Sequence, residues 1–104
     1  MASSSAAGRR IRLEVIVEQA YLERVTVILD QGGMQGYTVL PCMSGKGTRG
    51  TWTPEGAANA RVMIVAVGKD DAAEDTAEML RQLFDEIPGV AFLSEVDAVR
   101  PLRA

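Results

Sequence analysis

Apolar and polar residues alternate over residues 10–18. Ile11, Leu13, Val15 and Val17 fall on one side, and Arg12, Glu14, Ile16 and Glu18 on the other. That two-residue period predicts a half-buried strand. The period then changes: Tyr21, Leu22, Val25, Ile28 and Leu29 share one face of a helix, which Gly32-Gly33 should end. A second strand is expected over 36–43. Pro41 within it lacks an N–H, so this strand belongs at a sheet edge or carries a bulge. Residues 61–67 form an apolar run with little alternation, the mark of a central strand covered on both faces. A second helix is expected over 70–86, with Ala73, Ala77, Leu80, Phe84 and Ile87 at helical spacing. Asp70, Asp71, Glu74 and Asp75 crowd its first turns, where the helix dipole favours carboxylates, and a solvated acidic face is the plain explanation. Pro88-Gly89 stops it, and a last strand follows over 90–99.

The order strand, helix, strand, long loop, strand, helix, strand has few compact solutions. With right-handed crossovers it predicts an α+β, ferredoxin-like βαββαβ sandwich: four antiparallel strands with two helices on one face. One helical layer covers one face of the sheet. The other face must be covered too, and a second copy of the chain is the natural cover. Residues 1–9 are small and polar before the first strand and read as a disordered tail, leaving 10–104 as one domain.

Composition narrows the chemistry. A chain of 104 residues is too short for a two-domain enzyme. Its net charge of −3 sets it against nucleic acid as a partner, which favours basic proteins. It contains no His, which removes Ser-His and Cys-His pairs, His bases and most zinc sites. The one Cys, Cys42, excludes a disulfide within the chain and reads as a buried small apolar residue of the second strand. The opening residues lack the apolar segment of a secretory signal, and the longest apolar run, 62–67, is far short of a bilayer span. A cytoplasmic binding or regulatory module that is not an enzyme, and that does not insert in a membrane, is the expectation.

Residues 44–59 break every period. They include Ser44-Gly45-Lys46-Gly47-Thr48-Arg49-Gly50, whose glycines can turn backbone N–H groups toward an anion while Lys46 and Arg49 supply charge. The plain alternative is a solvated hairpin tip. Gly45, Gly47 and Gly50 fit G-x-G-x-x-G, but Thr51-Trp52-Thr53-Pro54 is a poor helix start, so the dinucleotide fingerprint fails. A phosphate loop fails as well, since Leu40 stands where its first Gly belongs and Gly47 follows Lys46. Trp52 either anchors a partner or packs back onto its own loop. An RNA-recognition module shares the element order but needs aromatics on its central strands. Arg12, Glu14 and Ile16 on the first strand, and Met63, Val65 and Val67 on the third, offer none.

Gly36-Tyr37-Thr38-Val39, the run from Ser44 to Gly50, and the C-terminal pair Arg100 and Arg103 together resemble the PII signalling proteins, and within them the PII-like branch linked to bicarbonate uptake and carboxysomes. The resemblance implies a homotrimer of ferredoxin-like subunits, with adenine nucleotide bound in clefts between neighbours. It implies a signalling loop at 44–59 that docks on a protein partner, and ADP or AMP bound together with bicarbonate. It implies that Gly36, Tyr37, Thr38 and Val39 form a wall beside the nucleotide. Gly45, Lys46, Gly47, Thr48 and Arg49 would lie near phosphate, with Lys46, Gly47 and Arg49 at bicarbonate. Gly89 would join the nucleotide site, and Arg100 and Arg103 would reach phosphates from the neighbouring chain. Two departures matter. The connection 87–90 holds no Lys, so a mono- or diphosphate fits better than ATP, and the loop has Trp52 but no Tyr for uridylylation. The competing expectation is a structural or metal-responsive trimer resembling the divalent-cation tolerance proteins.

Overall fold

The computed structural model describes residues 8–53 and 60–102. Strand β1 (Arg9–Glu18) leads through a short 3-10 turn (Gln19–Tyr21) into helix α1 (Leu22–Gly32). Strand β2 (Thr38–Pro41) follows, then two short strands, β3 (Gly45–Gly47) and β4 (Gly50–Trp52). Strand β5 (Arg61–Gly68), helix α2 (Asp70–Leu83) and strand β6 (Val90–Asp97) complete the chain. The main sheet has the order β2-β5-β1-β6, antiparallel throughout, as the ferredoxin-like arrangement requires.

Register explains the two faces. Leu13 pairs with Ala66, Val15 with Ile64 and Val17 with Val62, and all six side chains are buried beneath the helices. Val25 and Leu29 of α1, and Ala73, Ala77, Leu80 and Leu83 of α2, close that core from above. Thr76 is buried as well; neither it nor Leu83 is singled out by the apolar spacing of α2 alone. The opposite face carries Ile16 beside Met63, Glu14 beside Val65 and Arg12 beside Val67, flanked by Val90, Phe92 and Leu40. No helix of the described residues lies on that face; Phe92 is 57% exposed and Leu40 40%. Arg12 and Glu14 pair across it at 2.8 Å.

Several boundaries move from their expected places, each for a local reason. Arg9 belongs to β1 rather than to a tail, because it pairs with Asp97 and its guanidinium holds Asp70 at 3.0 Å and Glu95 at 2.9 Å. Residues 1–7 of the expected tail lie outside the described residues. Thr38–Pro41 of the expected second strand pair with β5, and the Cys42 N–H adds one bond to the Arg61 carbonyl at 3.0 Å, while Gly36 and Tyr37 precede the ladder. Pro41 ends β2 at the sheet edge, where its missing N–H is harmless. Cys42 is half-buried rather than buried. Helix α2 stops at Leu83, where the N–H groups of Glu86 and Ile87 both bond back to the Leu83 carbonyl and tuck Ile87 into the core. No helix among the described residues is long and apolar enough to cross a membrane.

Candidate functional site

The stretch expected to be without structure begins with a hairpin. Gly45 pairs with Trp52, Lys46 with Thr51 and Gly47 with Gly50, which leaves Thr48-Arg49 as a two-residue turn. Gly50 sits at φ +107°, a conformation that side-chain-bearing residues adopt at a cost. At Gly45 the reason for glycine is space, since a Cβ there would overlap the Trp52 ring. Trp52 thus packs onto its own loop. The Arg61 guanidinium lies over the same indole, with its Cζ 4.2 Å from the ring centre.

Beneath this hairpin opens a cleft of about 610 Å³. The end of β1 (Ile16, Val17 and Glu18) supplies one wall, and the hairpin, from Lys46 to Gly50 with Trp52, supplies another. Arg61 at the start of β5 and the Pro88-Gly89-Val90 connection complete it. Among the described residues, Lys46, Arg49 and Arg61 meet a single carboxylate there, Glu18. Glu18 stands opposite Arg61 in register. Among the described residues, however, none of the three cations has a carboxylate within ion-pair distance. A concave site with unneutralised cations and a glycine-rich turn suits an oxyanion.

Over residues 10–103 the chain matches the family model of the nitrogen regulatory protein P-II. The chain belongs to the P-II family. Among solved structures it is similar to CPII, a nitrogen regulatory PII-like protein from Thiomonas intermedia K12 bound to ADP, AMP and bicarbonate. The identity is 29%, covering 88% of this chain and 90% of that one, with a TM-score of 0.79. A second structure of CPII, bound to ADP and bicarbonate, matches at 30% identity with the same coverage and a TM-score of 0.78. The GlnK–ATP complex of Bacillus subtilis shares the fold at 18% identity, with a TM-score of 0.62 over 88% of this chain and 85% of that one. No curated protein matches.

The P-II chain gathers only some of the expected residues into this cleft. Lys46, Gly47, Thr48, Arg49 and Gly89 line it together. Gly45 is adjacent, committed to Trp52. Gly36, Tyr37, Thr38 and Val39 do not line it; they are exposed on or before the edge strand β2. Arg100 follows β6, whose last residue pairs with Arg9, so within one chain it lies at the far end of the sheet from Glu18. Arg103 lies outside the described residues, as do positions 54–59 of the loop.

Glu18 and Arg61 line the cleft and are absent from the set that the sequence suggested. Arg61 reads in sequence as the opening residue of an apolar strand. Only the β1–β5 register reveals that it shares an end of the sheet with Glu18. No group of three or more side chains placed to hold a metal ion occurs among the described residues, the acidic start of α2 included.

Proposed function

We propose that this P-II family chain is a non-catalytic regulator that holds ADP or AMP together with bicarbonate. Occupancy is signalled to a protein partner through residues 44–59. The observation that carries this reading is the cleft in which, among the described residues, Lys46, Arg49 and Arg61 meet one carboxylate, in a protein whose net charge is −3. Cations that are left without internal partners favour an external anion. The ligands of CPII, at 29% identity, supply its chemical class.

Lys46, Gly47 and Arg49 hold the bicarbonate, with phosphate beside Gly45, Thr48 and Gly89. The P-II assembly is a homotrimer in which the apolar helix-free face turns toward the other copies. Gly36, Tyr37, Thr38 and Val39 form the nucleotide's wall at a subunit boundary, and Arg100 and Arg103 reach the phosphates of a neighbour. The connection 87–90 offers no Lys to a γ-phosphate, so ADP and AMP bind at least as well as ATP. The physiological setting is cytoplasmic inorganic-carbon metabolism, with carboxysome association. A metal-responsive trimer is not favoured, because the chain has no His and the described residues hold no donor cluster.

The test is calorimetric titration of ADP with and without bicarbonate, at constant pH and ionic strength. Each ligand should tighten the other by the same factor, as linkage requires. An ADP affinity that bicarbonate leaves unchanged removes bicarbonate from the reading. Sedimentation equilibrium should give a trimer, and a stable monomer at micromolar concentration overturns the assembly.

A further inference from the structure

Helix α2 ends, but the chain beyond it is not released. The Phe84 N–H bonds to the Leu80 carbonyl at 2.9 Å, and the Glu86 and Ile87 N–H groups bond to the Leu83 carbonyl at 2.8 and 3.0 Å. Ile87 is buried in the core. The next three residues, Pro88, Gly89 and Val90, are a wall of the cleft. Behind that wall stands the Phe84 ring. A Cβ at position 89 would lie 2.5 Å from the Phe84 Cε1 and 2.9 Å from the Val17 Cγ1, so the backbone at Gly89 packs directly against both side chains. Val17 belongs to the closed core of the sheet. Phe84 does not: its ring also borders a hollow of about 250 Å³, lined by Leu13, Ala77, Leu80, Ala91 and Leu93. Without the ring, that hollow would extend to the back of the wall, and surroundings refill such a space only in part. The Arg24–Glu86 ion pair, at 3.1 Å, also reaches this connection, but both side chains are exposed and such pairs hold weakly.

We propose that Phe84 is a positioning residue of the cleft. Its ring stops the Pro88–Val90 wall from receding, which fixes the depth open to the phosphate chain of a nucleotide and favours ADP and AMP over ATP. The proposal rests on the reading of the cleft as a nucleotide site, and it adds a steric cause to the missing Lys. Without that cation a third phosphate is left unneutralised; with a fixed wall it is also denied room. A wall already in place has a second effect, since nothing there must be ordered when the ligand arrives.

The test is calorimetric titration of AMP, ADP and ATP into wild type, Phe84→Ala, Phe84→Leu, Gly89→Ala, the double variant Phe84→Leu/Gly89→Ala, and Glu86→Gln, with far-UV circular dichroism confirming the fold of each. Phe84→Ala should weaken ADP by about fivefold, the scale of ordering a loosened wall again on binding. ATP should lose less or gain, so the ratio of ATP to ADP affinity rises. Gly89→Ala should weaken all three nucleotides by pushing the wall into the cleft. Phe84→Leu removes the ring edge that a Cβ at 89 would meet, so the double variant should bind better than Gly89→Ala alone. Glu86→Gln should keep the wild-type ratio. If Phe84→Ala does not fold, Phe84→Leu carries the ratio. An ATP to ADP ratio equal to that of wild type in the folded Phe84 variants overturns the proposal, even where their melting temperatures fall, because Phe84 is then merely structural. So does a double variant no better than Gly89→Ala, or a ratio that moves as far in Glu86→Gln, which assigns the support to the ion pair. If wild type binds none of the three nucleotides, the nucleotide reading falls and takes this one with it.

Discussion

At its first residue β1 carries a cation that two carboxylates hold; at its last it carries a carboxylate facing a cation that no carboxylate among the described residues holds. Arg9 donates to Asp70 of α2 and lies 2.9 Å from Glu95 of β6, drawing three elements together. Its pKa is raised above the ordinary value, first by the hydrogen bond with Glu95 and then by Asp70, so it stays charged. Nine residues along, Glu18 and Arg61 stand opposite each other without pairing, beside Lys46 and Arg49. The same charge types therefore serve two purposes. Where each cation has its anion inside the molecule, the charges are structural. Where the cations exceed the carboxylates among the described residues, the arrangement favours an anion from solution.

The strongest way to break this contrast is to strip the uncompensated end. The double variant Lys46→Ala/Arg49→Ala should abolish the bicarbonate enhancement of ADP binding, with bicarbonate affinity down by about two decades. A calorimetric titration in which the enhancement survives would place the anion elsewhere. A smaller effect is expected from Gly45→Val, which forces the Trp52 ring from its seat. Bicarbonate binding should weaken by about tenfold. The thermal midpoint, read by circular dichroism, should move by less than ~4 °C, because only the hairpin is disturbed. A large drop in melting temperature would show that the stack supports the whole sheet.

Salt sharpens the same comparison. Raising ionic strength from about 0.05 to about 0.5 M should weaken bicarbonate binding severalfold through screening, while the melting temperature changes little. Equal sensitivity of both would erase the distinction between the two ends. The smallest effect belongs to Arg9→Ala. Its ion pairs are exposed to solvent, so ADP affinity should stay within a factor of about two of wild type. A marked loss of nucleotide binding would mean that the Arg9 end communicates with the cleft.

The main sheet and both helices were legible because their signals are periodic. Leu13, Val15 and Val17 alternate, and Val25, Leu29, Ala73, Ala77 and Leu80 recur at helical spacing; burial follows both patterns. The β3–β4 hairpin carries no such signal. Its strands are three residues each, built from Gly, Lys, Thr and Trp, and its stability comes from a ring against a bare backbone. The site divides in the same way. Lys46, Gly47, Thr48 and Arg49 are contiguous and rich in charge and glycine, so they stand out in sequence. Glu18 and Arg61 lie far apart in the sequence, with a helix, the edge strand and the hairpin between them, and each sits at the end of an ordinary apolar strand. Their meeting is a property of register, which no local window contains. Gly36–Val39 and Arg100 do not join the cleft within one chain, because the ladder sets them at an edge and at the opposite end.

Trp52 is the only tryptophan in the chain. The indole at the hairpin is thus a built-in optical probe of the loop, and no label is needed to watch it. Its emission can be excited apart from that of Tyr21 and Tyr37. A charged guanidinium on its face makes that emission sensitive to whatever draws charge away from the ring. Stopped-flow mixing with ADP or bicarbonate should therefore resolve the order of events. An emission change that lags ligand uptake would mean that the hairpin moves after binding, and one that matches it would mean that the loop is already in place.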